Sequence, residues 1–374
     1  MEKNRVFREI LFSLIPGLGP IYSRRILEEL GGLDSVFSSS IQDLSQIDGI
    51  NVKGAEHILQ SLDDKKKISK AREEIDYLER NQIKTFFLDN SDYPYRLKQC
   101  PDAPVILYFQ GKDLMAYPRM LAIVGSRKAS PAGKKITHDF LSELRNYGIL
   151  CISGLAYGID IQAHRSSLEF NIPTIGVLGH GLDNLYPAAH LATSKEMKLK
   201  GGLITEFISG TPLSPGLFPR RNRIIAGLCD ALVVVEAAEK GGALITADLA
   251  NSYDRDVFAF PGRVNDPNAL GCLGLIRDQK AQLITKAEEF LRFMNWDLES
   301  QIIESKSSSN PLSTNRTQGD ENKVFQFILH HVQTHLNQLE REFPEFGPKL
   351  FEILLELEMD GKIRSLPGKM YERV

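Results

Sequence analysis

Apolar residues recur along this chain with two different rhythms. From about residue 82 onward, short apolar runs alternate with longer amphipathic stretches. The runs are Leu121–Val124, Ile149–Ser153, Thr174–Leu178, Leu203–Thr205, Ala231–Glu236, Val257–Phe260 and Gln282–Ile284. Most are continuously apolar, as expected of strands buried on both faces. Between them lie helical patterns such as Lys134–Asn146, with Ile136, Phe140, Leu141 and Leu144 on one side. A βαβ series of this kind predicts an α/β fold: a Rossmann-like, doubly wound, mostly parallel sheet over residues 82–297.

The flanks read differently. Residues 1–80 form short helical segments separated by glycine turns. Leu14-Ile15-Pro16-Gly17-Leu18-Gly19 leads into a helix over Ile21–Leu30 and resembles a helix-hairpin-helix. A weaker second copy is Ile47-Asp48-Gly49-Ile50-Asn51-Val52-Lys53-Gly54, where Asn51 stands in place of the second glycine. Packing explains these turns better than DNA contact does. Residues 63–81 predict an exposed helix of mixed charge. Residues 298–320 contain Ser305-Lys306-Ser307-Ser308-Ser309-Asn310-Pro311 and predict a flexible linker. Residues 321–374 predict helices followed by a β-hairpin, the order of a winged helix. Its helices carry Glu340, Glu342, Glu345, Glu352 and Glu356, which favours protein contact or weak DNA contact. The expected organisation is thus a helical, helix-hairpin-helix/SAM-like N-terminal domain, the sheet domain, a linker and a winged-helix-like C-terminal domain.

Composition narrows the function. The chain has 374 residues and a formal net charge of −3. Any nucleic-acid binding must therefore use a local basic patch. Cys100, Cys151, Cys229 and Cys272 are far apart and form no CxxC pair, which argues against a disulfide framework or a structural zinc site. The apolar run Ile10–Ile15 is too short for a membrane span and lacks the pattern of a signal peptide. A cytoplasmic protein with no membrane partner is expected.

The segment that stands out is Phe218-Pro219-Arg220-Arg221-Asn222-Arg223-Ile224-Ile225-Ala226-Gly227-Leu228. Cations normally favour the C-terminal end of a helix, where the dipole is negative. Three arginines at a helix entrance suit convergence on an anion such as phosphate; the alternative is a solvated turn whose arginines pair with acidic neighbours. The strand ends add to this. Gly125-Ser126-Arg127, Ser153-Gly154-Leu155-Ala156-Tyr157-Gly158-Ile159-Asp160, Gly179-His180-Gly181-Leu182-Asp183 and Lys240-Gly241-Gly242-Ala243-Leu244-Ile245-Thr246 each follow a strand. Ligands of doubly wound sheets bind outside those carboxyl ends, and glycines there let a ligand approach the backbone.

Standard catalytic and nucleotide motifs do not fit. Gly125 to Lys134 is too long for a P-loop. Gly179-His180-Gly181 lacks the third glycine of a dinucleotide fingerprint. His331 and His335 have no HExxH frame, and Ser126 and Ser153 have no evident histidine partner. No catalytic residue, metal or cofactor is expected.

These motifs, with Ala163-His164, Tyr186-Pro187, Leu244-Ile245-Thr246-Ala247, Asp92-Tyr93-Pro94 and Ala103-Pro104-Val105-Ile106-Leu107-Tyr108, resemble the DNA-processing protein A (DprA/Smf) family over roughly residues 85–295. The resemblance implies a non-enzymatic protein that binds and protects single-stranded DNA and helps load RecA recombinase in natural transformation and recombination, as a homodimer. It implies a basic pocket containing Gly125, Ser126, Arg127, Ser153, Gly154, Phe218, Arg220, Arg221, Asn222, Arg223, Lys240 and Thr246. Phe218 either offers a face to an unstacked base or packs at the helix entrance. Ala188 and Ala189, and Lys240-Gly241-Gly242-Ala243, depart from the family pattern. The alternative is a lysine-decarboxylase-like nucleotide phosphoribohydrolase, weakened because no glutamate follows Thr246. A third reading is a scaffold acting through its terminal domains.

Overall fold

A computed structural model describes residues 2–112, 115, 117–297, 323–328, 334–344, 346–347, 349–360, 362–366 and 370–373. They fall into two compact units, Met1–Asp297 and Leu298–Val374.

The first unit is built on a nine-stranded sheet. Its strands are β1 Lys84–Phe87, β2 Ile106–Gly111, β3 Arg119–Val124, β4 Ile149–Ser153, β5 Thr174–Val177, β6 Gly202–Thr205, β7 Ala231–Val234, β8 Asp256–Ala259 and β9 Gln282–Leu283. The spatial order is β1-β2-β6-β5-β4-β3-β7-β8-β9. Neighbours from β6 to β9 run parallel. The β1–β2 and β2–β6 pairs are antiparallel. Every apolar run expected as a strand from 121 to 284 forms one. The two antiparallel strands β1 and β2 were not among those runs.

Strand order reverses beside β3: β4, β5 and β6 lie to one side, β7, β8 and β9 to the other. Here the crossovers leave in opposite directions and the carboxyl ends of β3 and β7 open a crevice. The helices of this part are α7 Tyr95–Lys98, α8 Pro131–Leu144, α9 Ile159–Glu169, α10 Leu191–Lys200, α11 Leu217–Leu228, α12 Gly242–Ser252, α13 Leu270–Arg277 and α14 Ala287–Phe293. Side chains of β3 alternate between faces as the pleat requires. Met120, Ala122 and Val124 join a core with Ile224, Ile225 and Leu228 of α11 and Ala247 and Ala250 of α12. Leu121 and Ile123 join another with Phe140 and Leu144 of α8 and Phe290 of α14. Helix α8 starts a little earlier than its apolar pattern indicates. The Ser130 hydroxyl accepts a hydrogen bond from the Gly133 N–H at 3.0 Å, and Pro131 opens the first turn.

Residues 1–80 form α1 Glu2–Ser13, α2 Pro20–Leu30, α3 Leu33–Ser38, α4 Ile41–Ser45, α5 Val52–Leu62 and α6 Lys65–Arg80. They share one core with the edge of the sheet. Ile10, Phe12, Ile26 and Leu78 pack with Phe87, Ile106 and Tyr108, and the Phe12 and Phe87 rings meet edge-on at 6.3 Å. The helical region and the sheet therefore lie in the same compact unit. The structure also explains Asn51: its side chain accepts the Gly54 N–H at 2.9 Å and caps α5, a role glycine could not fill.

In the second unit, a helix over 323–328 precedes β10 Thr334–His335, helices Leu336–Glu342 and Lys349–Met359, and strands β11 Ile363–Leu366 and β12 Met370–Arg373. The sheet order is β10-β12-β11. Val324, Leu336, Leu339, Leu350, Ile353 and Leu357 make its core, while Glu352 and Glu356 face outward. The expected linker 298–320, His331 and Glu345 lie outside the described residues.

His164 of α9 is fully buried. Its Nδ1 lies 2.7 Å from Thr174 Oγ1, which donates to the Cys151 carbonyl at 3.1 Å. Nδ1 therefore carries the ring proton. Burial, assisted by His190 and Arg221, lowers its pKa to about 3. The unfolded ring takes up a proton near pH 6.5 and the folded one does not, so stability falls as pH drops from about 6.5 towards 3. The expected contribution is up to about 1.4 kcal/mol per pH unit. Urea melts across this range check it: the slope should shrink in a folded His164→Gln variant. An unchanged slope would mean that other groups govern acid stability.

Candidate nucleic-acid interface

The crevice at the β3–β7 reversal has a volume of about 560 Å³. Its floor begins with the loop after β3, where Gly125, Ser126, Arg127 and Lys128 line it. That loop is held by backbone bonds: Ser126 N–H donates to the Glu236 carbonyl at 2.7 Å, and Ile159 N–H donates to the Ser126 carbonyl at 3.1 Å. Gly158 lies close by with φ of 82°, and a Cβ there would come 2.0 Å from the Ser126 carbonyl oxygen. Only glycine fits both constraints. The Glu236 carboxylate accepts the Ser130 N–H at 2.9 Å and the Ser130 hydroxyl, so the end of β7 also anchors the start of α8.

Helix α11 supplies Pro219, Arg221 and Asn222 to the opposite wall. Arg221 is 4% exposed. Its guanidinium donates to the carbonyls of Gly154 and Val177, just past β4 and at the end of β5, and Nε donates to Asn222 Oδ1 at 3.2 Å. Burial lowers its pKa to about 10, opposed by the charge of Asp160. Even so it remains charged at neutral pH. A Cβ at Gly154 would sit 2.4 Å from this guanidinium, so that glycine makes room for the arginine. Asn222 in turn donates to the Gly242 carbonyl at 3.3 Å.

The third wall is the entrance to α12, where Lys240, Gly241, Gly242 and Thr246 line the crevice. Gly241 is the N-cap and offers no side-chain cap, so the positive end of the helix faces the crevice. Arg127, Lys128 and Lys240 are exposed. Among the described residues none of the three has a carboxylate partner. Against these cations and Arg221, the acidic lining residue is Asp160. Its pKa is raised by burial and held back by Arg221 and by backbone N–H donors. The crevice is therefore a concentration of positive charge on a chain of formal charge −3.

This geometry can be set beside known proteins. The family model "DNA recombination-mediator protein A" matches residues 84–295, from the first residue of β1 to just beyond α14. The chain belongs to that family. It is 34% identical over 289 residues to Protein Smf of Synechocystis sp., covering 75% of this chain and 71% of that protein. It is 35% identical over 284 residues to Protein Smf of Escherichia coli, covering 75% of each. The X-ray structure of DNA processing protein A from Streptococcus pneumoniae superposes with a TM-score of 0.67 at 32% identity, over 76% of this chain and 97% of that one. DNA processing protein A from Helicobacter pylori, whose structure is described by its single-stranded DNA binding mode, gives a TM-score of 0.53 at 28% identity, over 58% and 97%.

Within this family fold the expected site residues separate. Gly125, Ser126, Arg127, Arg221, Asn222, Lys240 and Thr246 line the crevice. Ser153 and Gly154 lie behind it; the Ser153 hydroxyl is fully buried and donates to the Ile123 carbonyl at 2.6 Å. Phe218 is half-buried, 5.9 Å from the Tyr186 ring, with the Arg127 guanidinium 5.7 Å above it. It positions that cation. Arg220 and Arg223 are turned elsewhere: both pair with Glu206, at 2.8 and 2.6 Å, and Arg223 also donates to the Asp102 carbonyl. Their guanidiniums are committed to a carboxylate outside the crevice. The sequence reading passed over Lys128 and Asp160 as site residues. Lys128 carried a signal, a second cation in the Gly-Ser-Arg turn. Asp160 carried none, because its burial beside Arg221 comes from the fold.

Arg223 is thus a stability residue. Arg223→Ala removes one of the cations on a buried carboxylate and should cost about 3 kcal/mol, read as a lowered urea midpoint. A folded Arg223→Ala protein as stable as the parent would overturn this assignment.

Proposed function

We propose that this protein binds single-stranded DNA, with the strand's phosphates in the β3–β7 crevice. The observation that carries the reading is the set of unpaired cations, Arg127, Lys128 and Lys240, gathered around the uncapped entrance of α12. Membership of a DNA recombination-mediator family supports it, as does the single-stranded DNA binding described for the Helicobacter pylori relative. Guanidinium and ammonium groups beside exposed N–H donors grip phosphate without reading base edges. The reading extends to protection of incoming strands, their delivery to a RecA recombinase in transformation and recombination, and a homodimeric, non-enzymatic, cytoplasmic protein. In it the second unit acts as a winged helix whose outward Glu352 and Glu356 favour a protein partner over DNA.

Fluorescence anisotropy with single- and double-stranded oligonucleotides over a salt series tests the central claim. Single strands should bind more tightly, with affinity falling steeply with salt as counterions are released. Arg127→Ala should weaken binding about tenfold and make the salt slope shallower by about 1. Tighter duplex binding, or a folded Arg127→Ala protein with parental affinity and slope, would place the site elsewhere.

A further inference from the structure

One helix of the second unit turns two large apolar side chains to solvent. The helix Lys349–Met359 follows the helix Leu336–Glu342 and precedes strand β11. Leu350, Ile353, Leu354 and Leu357 pack into the core and are at most 2% exposed. Phe351, by contrast, is 52% exposed and Leu355 58%. The two are four residues apart, so they stand one above the other as a single apolar ridge. Single apolar residues on a surface are ordinary, but two large ones on adjacent turns form a contiguous patch. Glu352 and Glu356 are also exposed and four apart, and they run beside the ridge. Among the described residues neither carboxylate has a cation partner. Lys362 and Arg364, which follow the helix, pair with Asp360 and Glu372. The helix itself holds three glutamates against one lysine.

Charge decides what can cover the ridge. A nucleic-acid strand or an anionic membrane would bring negative charge against two unpaired carboxylates. A second copy docking by the same face would gather four of them. A positively charged protein segment satisfies both features at once. We propose that the Phe351–Leu355 ridge docks an amphipathic helix of a partner protein, with apolar side chains at i, i+3 or i+4 and i+7 and lysine or arginine beside them. A ridge of residues four apart packs into the groove between such apolar side chains, as helices do in protein cores. The flanking cations then reach Glu352 and Glu356. Exposed ion pairs add little affinity. Burial of the two apolar side chains supplies most of it, and the carboxylates select the sign of the partner. This docking rests on the protein-contact reading of the second unit given above and not on the crevice.

Fluorescence anisotropy with the full chain tests it, using three labelled helical peptides as probes. One carries leucines on one face with lysines beside them. The second has glutamates in place of the lysines, and the third is the lysine peptide with its leucines replaced by serine. The lysine peptide should bind about tenfold more tightly than either of the others, less so as salt rises. Phe351→Ser combined with Leu355→Ser should weaken that binding at least about tenfold. Glu352→Lys combined with Glu356→Lys keeps the ridge and should invert the preference, so that the glutamate peptide binds better. Circular dichroism shows whether the variants fold; should the serine variant not fold, the charge-reversed one decides alone. Binding of none of the peptides, equal binding of the lysine and glutamate peptides, or a lysine preference that survives charge reversal would overturn the proposal. Affinity for single- and double-stranded oligonucleotides, measured on the same samples, should be unchanged in the serine variant. If it falls, the ridge contacts nucleic acid and the protein-contact reading fails too. If it holds while no peptide binds, the partner chemistry proposed here fails alone.

Discussion

The guanidinium of Arg221 sits where the ends of β4 and β5 meet α11, and the carbonyls of Gly154 and Val177 replace the water it has lost. A buried cation is tolerated only when its donors are used and a countercharge is near. Asp160, itself desolvated, supplies that charge. Both carbonyls accept from one terminal nitrogen, Nη1, while Nε reaches Asn222, so the donors act from two points of the guanidinium plane, which lysine's single ammonium cannot reproduce. The consequences spread outward. Gly154 must lack a side chain to admit the guanidinium. Asn222, fixed through Arg221, holds the Gly242 carbonyl and so aligns the entrance of α12 with the crevice. The crevice is assembled around a charge that the protein has already satisfied internally.

Much of this was legible in the chain. Strands buried on both faces leave continuous apolar runs, and those runs, with amphipathic stretches between them, specify a doubly wound sheet and the end at which it binds ligands. The antiparallel pair β1 and β2 left a weaker trace. Lys84-Thr85-Phe86-Phe87 follows directly on a charged helix, and what makes it a strand is its pairing with residues 106–109. The shared core of Phe12, Phe87 and Tyr108 was hidden for the same reason, since contacts between distant segments have no period. Within the site, glycine-rich strand ends were readable because a close backbone approach demands a particular residue. The fate of each arginine was not, because it depends on where Glu206 and the strand-end carbonyls arrive.

That dependence explains how the Arg220-Arg221-Asn222-Arg223 run works. Successive residues of a helix point roughly 100° apart. Arg220 and Arg223, three residues apart, lie on one face and share Glu206, while Arg221 between them turns to another partner. Arg221 turns to the strand ends beside the crevice. Arg223 turns inward to Glu206 and the Asp102 carbonyl, binding α11 to the segment before β2. Arg220 reaches the same carboxylate from the solvent side and lies over the Phe207 ring at 5.3 Å. The free cations of the crevice come from other loops, at Arg127, Lys128 and Lys240, none of which has a carboxylate partner among the described residues. A basic run at a helix entrance can thus border a basic crevice without supplying most of its free charge. It builds the frame, and loops from neighbouring strands bring the charges that remain free to meet an anion.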